Sequence, residues 1–516
     1  MPIATSRTHR STRRVAPGAI QGVLVRVAGA GLACVLALLS VIDPTLGIAG
    51  AMTIAIAVGF FHSATFGICA FVFFSYFELI TEYTGNTALS PIKVCGGALI
   101  VIGLLDLVTR ARHGGAARRR PAPAWARHPI VLTAMVGFVA VGAASASWAV
   151  NTDQVKTLTI RLITEALVFL AIGVFLLRRQ QLYAVACTAL VAGVLSTLAG
   201  LALGTEVFGR LVGTFTDPNE YASAMVVSIG MGFGALGAAR TPWVRRACVV
   251  GIVICGWGVL ASQSRGGLIA LFIAGAFIVV SSRGRERVRM MGASFVLVAA
   301  AVSVLMLTPS GQQSLERITN GDSSGRSDLW RIAILQFQDY PLHGVGLGNY
   351  PAVAKRYITA ETEHTELVVS VAPRTTHNSY LEIAAELGTL GLVTFGSFVG
   401  GCVLLGMFGV RAARRLRDEG VVSLGRGIVA ATIGVLASCF FLSNQYGELI
   451  WALLATCVAF HAYVHRQLRL AAALETAQEI VENLPVDDID AGLTEALAVA
   501  ALDELDRAPE LLGPPR

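Results

Sequence analysis

Charge is scarce in this chain. Only 14% of its 516 residues are Asp, Glu, Lys or Arg, against roughly 25% in soluble domains. That shortage, with 54% hydrophobic residues and a mean hydropathy of +0.67, excludes an ordinary water-soluble protein. Cys-x-x-Cys and His-Glu-x-x-His are both missing, and no acidic cluster stands in their place, so no metal site is implied. The nine cysteines are scattered, mostly inside apolar runs, as at Cys34, Cys69, Cys255 and Cys402. They read as small core hydrophobes. The long polar stretch before His377 has none, which excludes a disulfide framework there. Lysine is rare beside arginine, as in the products of GC-rich genomes.

Apolar runs of membrane-spanning length are what fills the chain. They fall near 23–41, 46–62, 64–80, 92–109, 130–148, 158–177, 181–203, 221–239, 244–261, 266–282, 290–307, 380–408, 427–443 and 447–465. Each is long enough, or nearly so, to cross about 30 Å of hydrocarbon. The fold class expected is an all-α polytopic integral membrane protein of about 12–14 transmembrane helices, with one large extracytoplasmic loop. A β-barrel would show short alternating segments instead. The 54 glycines suit close helix packing in lipid.

The net charge of +7 is a topology signal rather than a nucleic-acid footprint. Arginines cluster in the N-terminal tail and in Arg110–Arg127, Arg178–Arg179, Arg240–Arg246, Arg283–Arg289 and Arg411–Arg426. All of these fall on one side of the expected helix count, the cytoplasmic side by the positive-inside rule. Residues 1–22 then form a basic cytoplasmic tail and 23–307 a helix bundle. Residues 308–377 form the large outer loop and 378–465 the last membrane helices. Residues 466–516 form an acidic, helical cytoplasmic tail. By this reading both termini lie inside.

His377 lies where the long loop meets a helix. Ser379 and Glu382 have capping-box spacing, so that helix is expected to start near Tyr380. A helix N-terminus favours neutral imidazole, which can take a proton, and favours nearby anions. A histidine that only bonds a loop carbonyl is the plain alternative. The outer side also carries Arg210, Arg265, Arg317, Arg326, Arg331, Arg356 and Arg374, for which the positive-inside rule gives no reason. Guanidinium forks hold phosphate oxygens in pairs. Headgroup contact or snorkelling is the bland reading for any one of them. Arg161 and Glu165, spaced i, i+4, are either a structural ion pair or part of the site. Glu78, Asp106, Glu386 and Glu448 are isolated acids near helix ends. His343-Gly344-Val345-Gly346-Leu347-Gly348 lacks a βαβ setting for a dinucleotide loop and reads as a tight backbone turn.

Five motifs in order carry a family resemblance: Gly213-Thr214-Phe215-x-x-Pro218-Asn219, Ser264-Arg265-Gly266, Gly325-Arg326-Ser327-x-x-Trp330, Pro341-x-x-Gly344-x-Gly346, and His377-Asn378 followed by Gly388 and Gly391. Over about 200–395 the chain resembles the O-antigen ligase/O-antigen polymerase superfamily of bacterial membrane glycosyltransferases. The resemblance implies a metal-independent enzyme of cell-surface polysaccharide synthesis. It would transfer a glycan from a polyprenyl-diphosphate donor, such as one built on undecaprenyl diphosphate, to a hydroxyl of a glycan, lipid or protein acceptor. By resemblance His377 is the base or acceptor-orienting group, and Arg210 and Arg265 bind diphosphate, with Arg326 and Arg331 in looser register. Asn378, Asn219, Arg161, Glu165 and Arg374 are possible supporting residues. No cofactor is implied, since the donor carries the energy. A transporter or flippase of lipid-linked glycan would gather its ionisable residues near the bilayer midplane. A non-catalytic scaffold would have no use for His377 beside several arginines.

Overall fold

The computed structural model describes residues 63–78, 90–112, 121–289, 326–358 and 375–482, together with positions 59, 291–292 and 306. Apart from the four single positions named above, the expected helices at 23–41, 46–62 and 290–307 lie outside the described residues, as do the whole N-terminal tail, residues 308–325 and 359–374 of the outer loop with Arg317 and Arg374, and residues 483–516 of the C-terminal tail.

The first helices are α1 (Ala64–Phe74), α2 (Pro91–Arg112), α3 (Pro129–Ala144), α4 (Thr152–Phe175) and α5 (Arg179–Leu203). A two-residue hairpin follows, with β1 (Glu206–Val207) antiparallel to β2 (Arg210–Leu211). Next come α6 (Pro218–Ala238), α7 (Pro242–Ala261) and α8 (Arg265–Ser281). After the gap the chain resumes with α9 (Arg326–Asp339), α10 (Tyr350–Ala354), α11 (Ser379–Ala413), α12 (Glu419–Ser438) and α13 (Glu448–Glu482). Among the described residues, nine helices are long and apolar enough to cross a membrane: α2 to α7 and α11 to α13. α1 and α8 are shorter apolar helices. This is a polytopic helical membrane protein.

Local chemistry sets the boundaries. Pro129, Pro218 and Pro242 stand at first helical positions, where the missing N–H costs nothing. Asn151, Asp217, Ser264 and Asp418 each accept a backbone N–H of the first turn. Two boundaries differ most from the hydropathy reading. α12 begins at Glu419, not near 427, because Glu419 and Arg426 depress the local hydropathy although Arg426 is buried. Its guanidinium bonds Glu286 and so belongs to the helix, not to a loop. α13 runs unbroken through Arg466, where the tail was expected to begin.

α6 and α12 form the buried centre. A Cβ on Gly427 would lie 2.5 Å from the Gly230 carbonyl oxygen and 2.6 Å from Gly234 Cα. The Gly230-x-x-x-Gly234 step therefore lets the two backbones touch. An aromatic seam joins α3, α4 and α13 to α11. Phe138 meets Phe395, Phe169 meets Phe398, and Phe398 meets Trp451. The outer surface is apolar, with Ile160, Val253 and Phe272 turned outward, as lipid contact requires.

The inter-helix segments gather at two opposite ends. At one, Asn349 bonds Asn151, Arg210 bonds Ser262 and Thr376 contacts Ser443. At the other are the arginine-rich segments. Arg179 pairs with Asp418, Arg414 bonds the Ser281 carbonyl and Arg426 bonds Glu286. Among the described residues the arginine clusters thus share one end and His377 occupies the other.

Candidate functional site

His377 sits in a rigid frame. Its own backbone is left-handed, φ +50°, a conformation uncommon outside glycine. Thr376 and Asn378, on either side, are buried, while His377 is half-buried. Asn378, not Ser379, caps α11: its Oδ1 accepts from Tyr380 N at 3.0 Å and Leu381 N at 3.1 Å. Ser379 is inside the helix, and its hydroxyl donates to the Leu442 carbonyl at 2.8 Å. Glu382 does not fold back as a capping box would have it. Its Oε2 accepts from Thr376 N at 3.2 Å, from Thr376 Oγ1 at 3.0 Å and from Ser443 Oγ. Its Oε1 accepts from Gln445 Nε2 at 2.8 Å. One buried carboxylate thus ties the His377 turn to the segment between α12 and α13.

A second frame supports the first. α11 breaks at Gly388, whose φ of +62° and ψ of −156° are not helical. The break exposes backbone groups that the segment before α10 takes up. Val345 N donates to Ala385 O and Gly346 N to Glu386 O. From below the break Thr389 N donates to Pro341 O and Leu390 N to Leu342 O. A Cβ on Gly344 would lie 2.2 Å from the Glu386 carbonyl carbon, and one on Gly388 2.5 Å from Leu342. The two glycine motifs, far apart in sequence, are two halves of one splice. Glu386 lies inside it, accepting from Tyr350 N and from the Tyr446 hydroxyl. Burial first, and then Glu386, push the Tyr446 phenol above its ordinary value, so it remains a donor.

The arginines converge from three elements. Arg210, on β2, donates from Nε to the Ser262 carbonyl at 2.8 Å and from Nη2 to Asn219 Oδ1 at 3.1 Å. Ser264 donates to the same Asn219 oxygen at 2.8 Å. Asn219 therefore joins the hairpin, the start of α6 and the turn that presents Arg265. Arg265 is exposed at the first position of α8. Arg326 begins α9, and burial holds its guanidinium below the usual value; Asp217 opposes that shift and Arg265 adds to it. Asp217 and Arg265 are therefore each within electrostatic reach of Arg326. α9 also reaches the histidine turn, because Trp330 Nε1 donates to the Thr376 carbonyl at 3.1 Å. Arg331 is exposed and points about 140° around α9 from Arg326.

For Arg161 and Glu165 the sequence leaves two alternatives, a local ion pair or part of the site, and the hydrogen bond of Arg161 goes to a distant partner. Arg161 Nη2 reaches Glu448 Oε1 at 3.3 Å, 287 residues away, and Glu165 is buried behind it. Arg161 and Glu448 line a cavity of about 300 Å³ together with Glu78, Lys93, Glu220 and Ser443. The same Ser443 bonds Glu382, so this cavity adjoins the His377 frame. Glu78 also accepts from the Thr216 hydroxyl. Asp106 belongs elsewhere, paired with Arg110. Reading the sequence missed Thr376, Ser443 and Gln445, which carry no motif and meet Glu382 only through the fold.

Residues 250–396 match the family model described as O-antigen ligase. Over that segment the chain is similar to the O-antigen ligase family. The segment runs from within α7, through Arg265, Arg326 and the splice, past His377 and Gly391. The match supports a membrane glycosyltransferase-type enzyme of polysaccharide synthesis with a lipid-linked glycan donor. No curated protein matches the sequence. A solved chain, from a structure titled "Structural coordination of polymerization and crosslinking by a peptidoglycan synthase complex", is 15% identical with a TM-score of 0.39. The alignment covers 65% of this chain and 97% of that one.

Proposed function

We propose that this O-antigen ligase relative transfers a glycan from a polyprenyl-diphosphate donor to an acceptor hydroxyl on the extracytoplasmic face. The supporting observation is the meeting of Arg210, Arg265 and Arg326 around Asn219 and Asp217, with α9 bonded to the residue beside His377. In this reading the acceptor oxygen bonds the anomeric carbon while the bond from that carbon to the diphosphate oxygen breaks. His377 takes the hydroxyl proton, and the polyprenyl diphosphate leaves with its new charge held by the guanidinium groups. Glu382 and Trp330 fix the turn that aims the imidazole. The arginine-rich end of the bundle then faces the cytoplasm, and both termini lie there. The reaction is a ligation or a polymerisation of repeat units, according to the acceptor.

The experiment is transfer in proteoliposomes holding the full chain, a polyprenyl-diphosphate oligosaccharide and an oligosaccharide acceptor. A new glycosidic bond is expected with wild type. His377→Ala should lose it by about 10²–10⁴-fold while donor binding persists. His377→Asn keeps a hydrogen-bonding group but not the base, and near-normal transfer by it would remove His377 from the proton step. Lipid movement without a new bond would make the chain a transporter.

A further inference from the structure

The end of the bundle opposite His377 contains a second cavity, of about 380 Å³. Six basic side chains line it: Arg127, His128, His461, His465, Arg466 and Arg469. No acidic residue is among its described lining. Three of the six are imidazoles in contact, one pair edge-to-face and the other tilted. The ring centroids of His128 and His461 are 4.9 Å apart, and those of His461 and His465 4.2 Å apart. His461 Nδ1 is buried with no hydrogen-bond partner among the described residues. His461 and His465 are i, i+4 on α13 and Arg469 continues that side of the helix, while Arg466 is about 140° round from His461. His128 comes from the turn before α3, and Arg127 ends the short 3₁₀ turn Ala124–Arg127.

Topology accounts for arginine here but not for this arrangement. The positive-inside rule asks for cations in solvated segments, not for three imidazoles packed ring to ring inside a cavity. Such rings disfavour one another's protonated forms. His128 shows this: burial, and then the charges of His465 and Arg127, hold it below its ordinary value. An anion in the cavity would relieve that repulsion and give His461 Nδ1 a partner. Three guanidinium groups and three imidazoles, with no carboxylate among the described lining, offer several donors to the oxygens of a phosphate. Among the described residues no set of three His, Cys, Asp or Glu is spaced to hold a metal ion.

We infer that this cavity is a binding site for a phosphate group, carried either by a membrane lipid headgroup or by a free phosphate ion. Basic pockets between helices at this end of a bundle suit lipid headgroups. The site is about 20–25 Å along α13 from Glu448, at 1.5 Å per residue, and it stands or falls apart from the proposed transfer reaction.

The test uses the full chain in a neutral detergent. Inorganic phosphate is titrated with thermal unfolding as the readout, and retained phosphatidylglycerol is counted by native mass spectrometry, with phosphatidylcholine as control. Either phosphate should raise the unfolding temperature, or phosphatidylglycerol should be retained over phosphatidylcholine. The first outcome assigns a free ion and the second a headgroup. Arg469→Gln and His461→Gln should each weaken the responding ligand by about tenfold or more. Arg469 is partly exposed, so its variant serves if His461→Gln fails to fold. Ligand responses equal in wild type and Arg469→Gln, or no response to either ligand, overturn the inference.

Discussion

Trp330 donates its indole N–H to the carbonyl of Thr376, one residue before His377. α9, which begins with Arg326, is thereby fixed to the turn that presents the imidazole. Trp330→Phe keeps the ring and removes the donor, at a cost of about 1 kcal/mol. We expect transfer to fall about fivefold with donor binding retained, and Trp330→Ala to lose more. Equal rates for Trp330→Phe and wild type would show that this helix does not position the turn.

Glu382 accepts four hydrogen bonds from Thr376, Ser443 and Gln445. Glu382→Gln puts an amide N–H₂ where one acceptor oxygen stood, so donor faces donor. A loss of about 2–3 kcal/mol is expected from the mispaired buried group, read as a lower unfolding temperature and a matching fall in transfer. An unchanged unfolding temperature would count against the network.

Gly388 holds a backbone conformation reserved for glycine. Gly388→Ala adds strain of about 1–3 kcal/mol and a clash with Leu342. The yield of folded protein after detergent extraction should drop sharply. A normal yield would mean the splice yields easily.

Arg210 and Arg265 differ in setting. Arg210 is bonded to Ser262 and Asn219, whereas Arg265 is exposed. Arg265→Lys should lower donor affinity because the planar fork is lost, while leaving stability within about 0.5 kcal/mol. Arg210→Lys should lower both. Donor titration alongside thermal unfolding separates the two effects, and wild-type affinity for Arg265→Lys would remove it from the diphosphate site.

Much of the membrane bundle was legible because hydropathy and proline at first helical positions are local signals. α2, α3, α5, α6, α7 and α8 start within a few residues of their expected places. Where reading failed, a distant partner had rewritten the local chemistry. Ser379 and Glu382 have capping-box spacing, yet Ser443 and Gln445, more than 60 residues on, claim the carboxylate, and Asn378 takes the cap. Arg161 and Glu165 have ion-pair spacing, yet Glu448 takes the arginine. Arg426 looked like loop charge because Glu286, its partner, is 140 residues away. The arginines were legible by type but not by company, since Asn219 and Asp217 join them only once three elements fold together.

The splice at Gly388 has a bearing on chain length. Amides at Val345 and Gly346 and carbonyls at Pro341 and Leu342 each have an assigned mate on α11. The peptide between them works as a gauge block inserted into a ladder. Deleting a single residue between Leu342 and Val345 would slide one set of rungs past its mates and strand buried amides. Length changes in the connection between α8 and α11 must therefore fall outside 341–346, and the spacing of Pro341, Gly344 and Gly346 is a measured length rather than a turn composition.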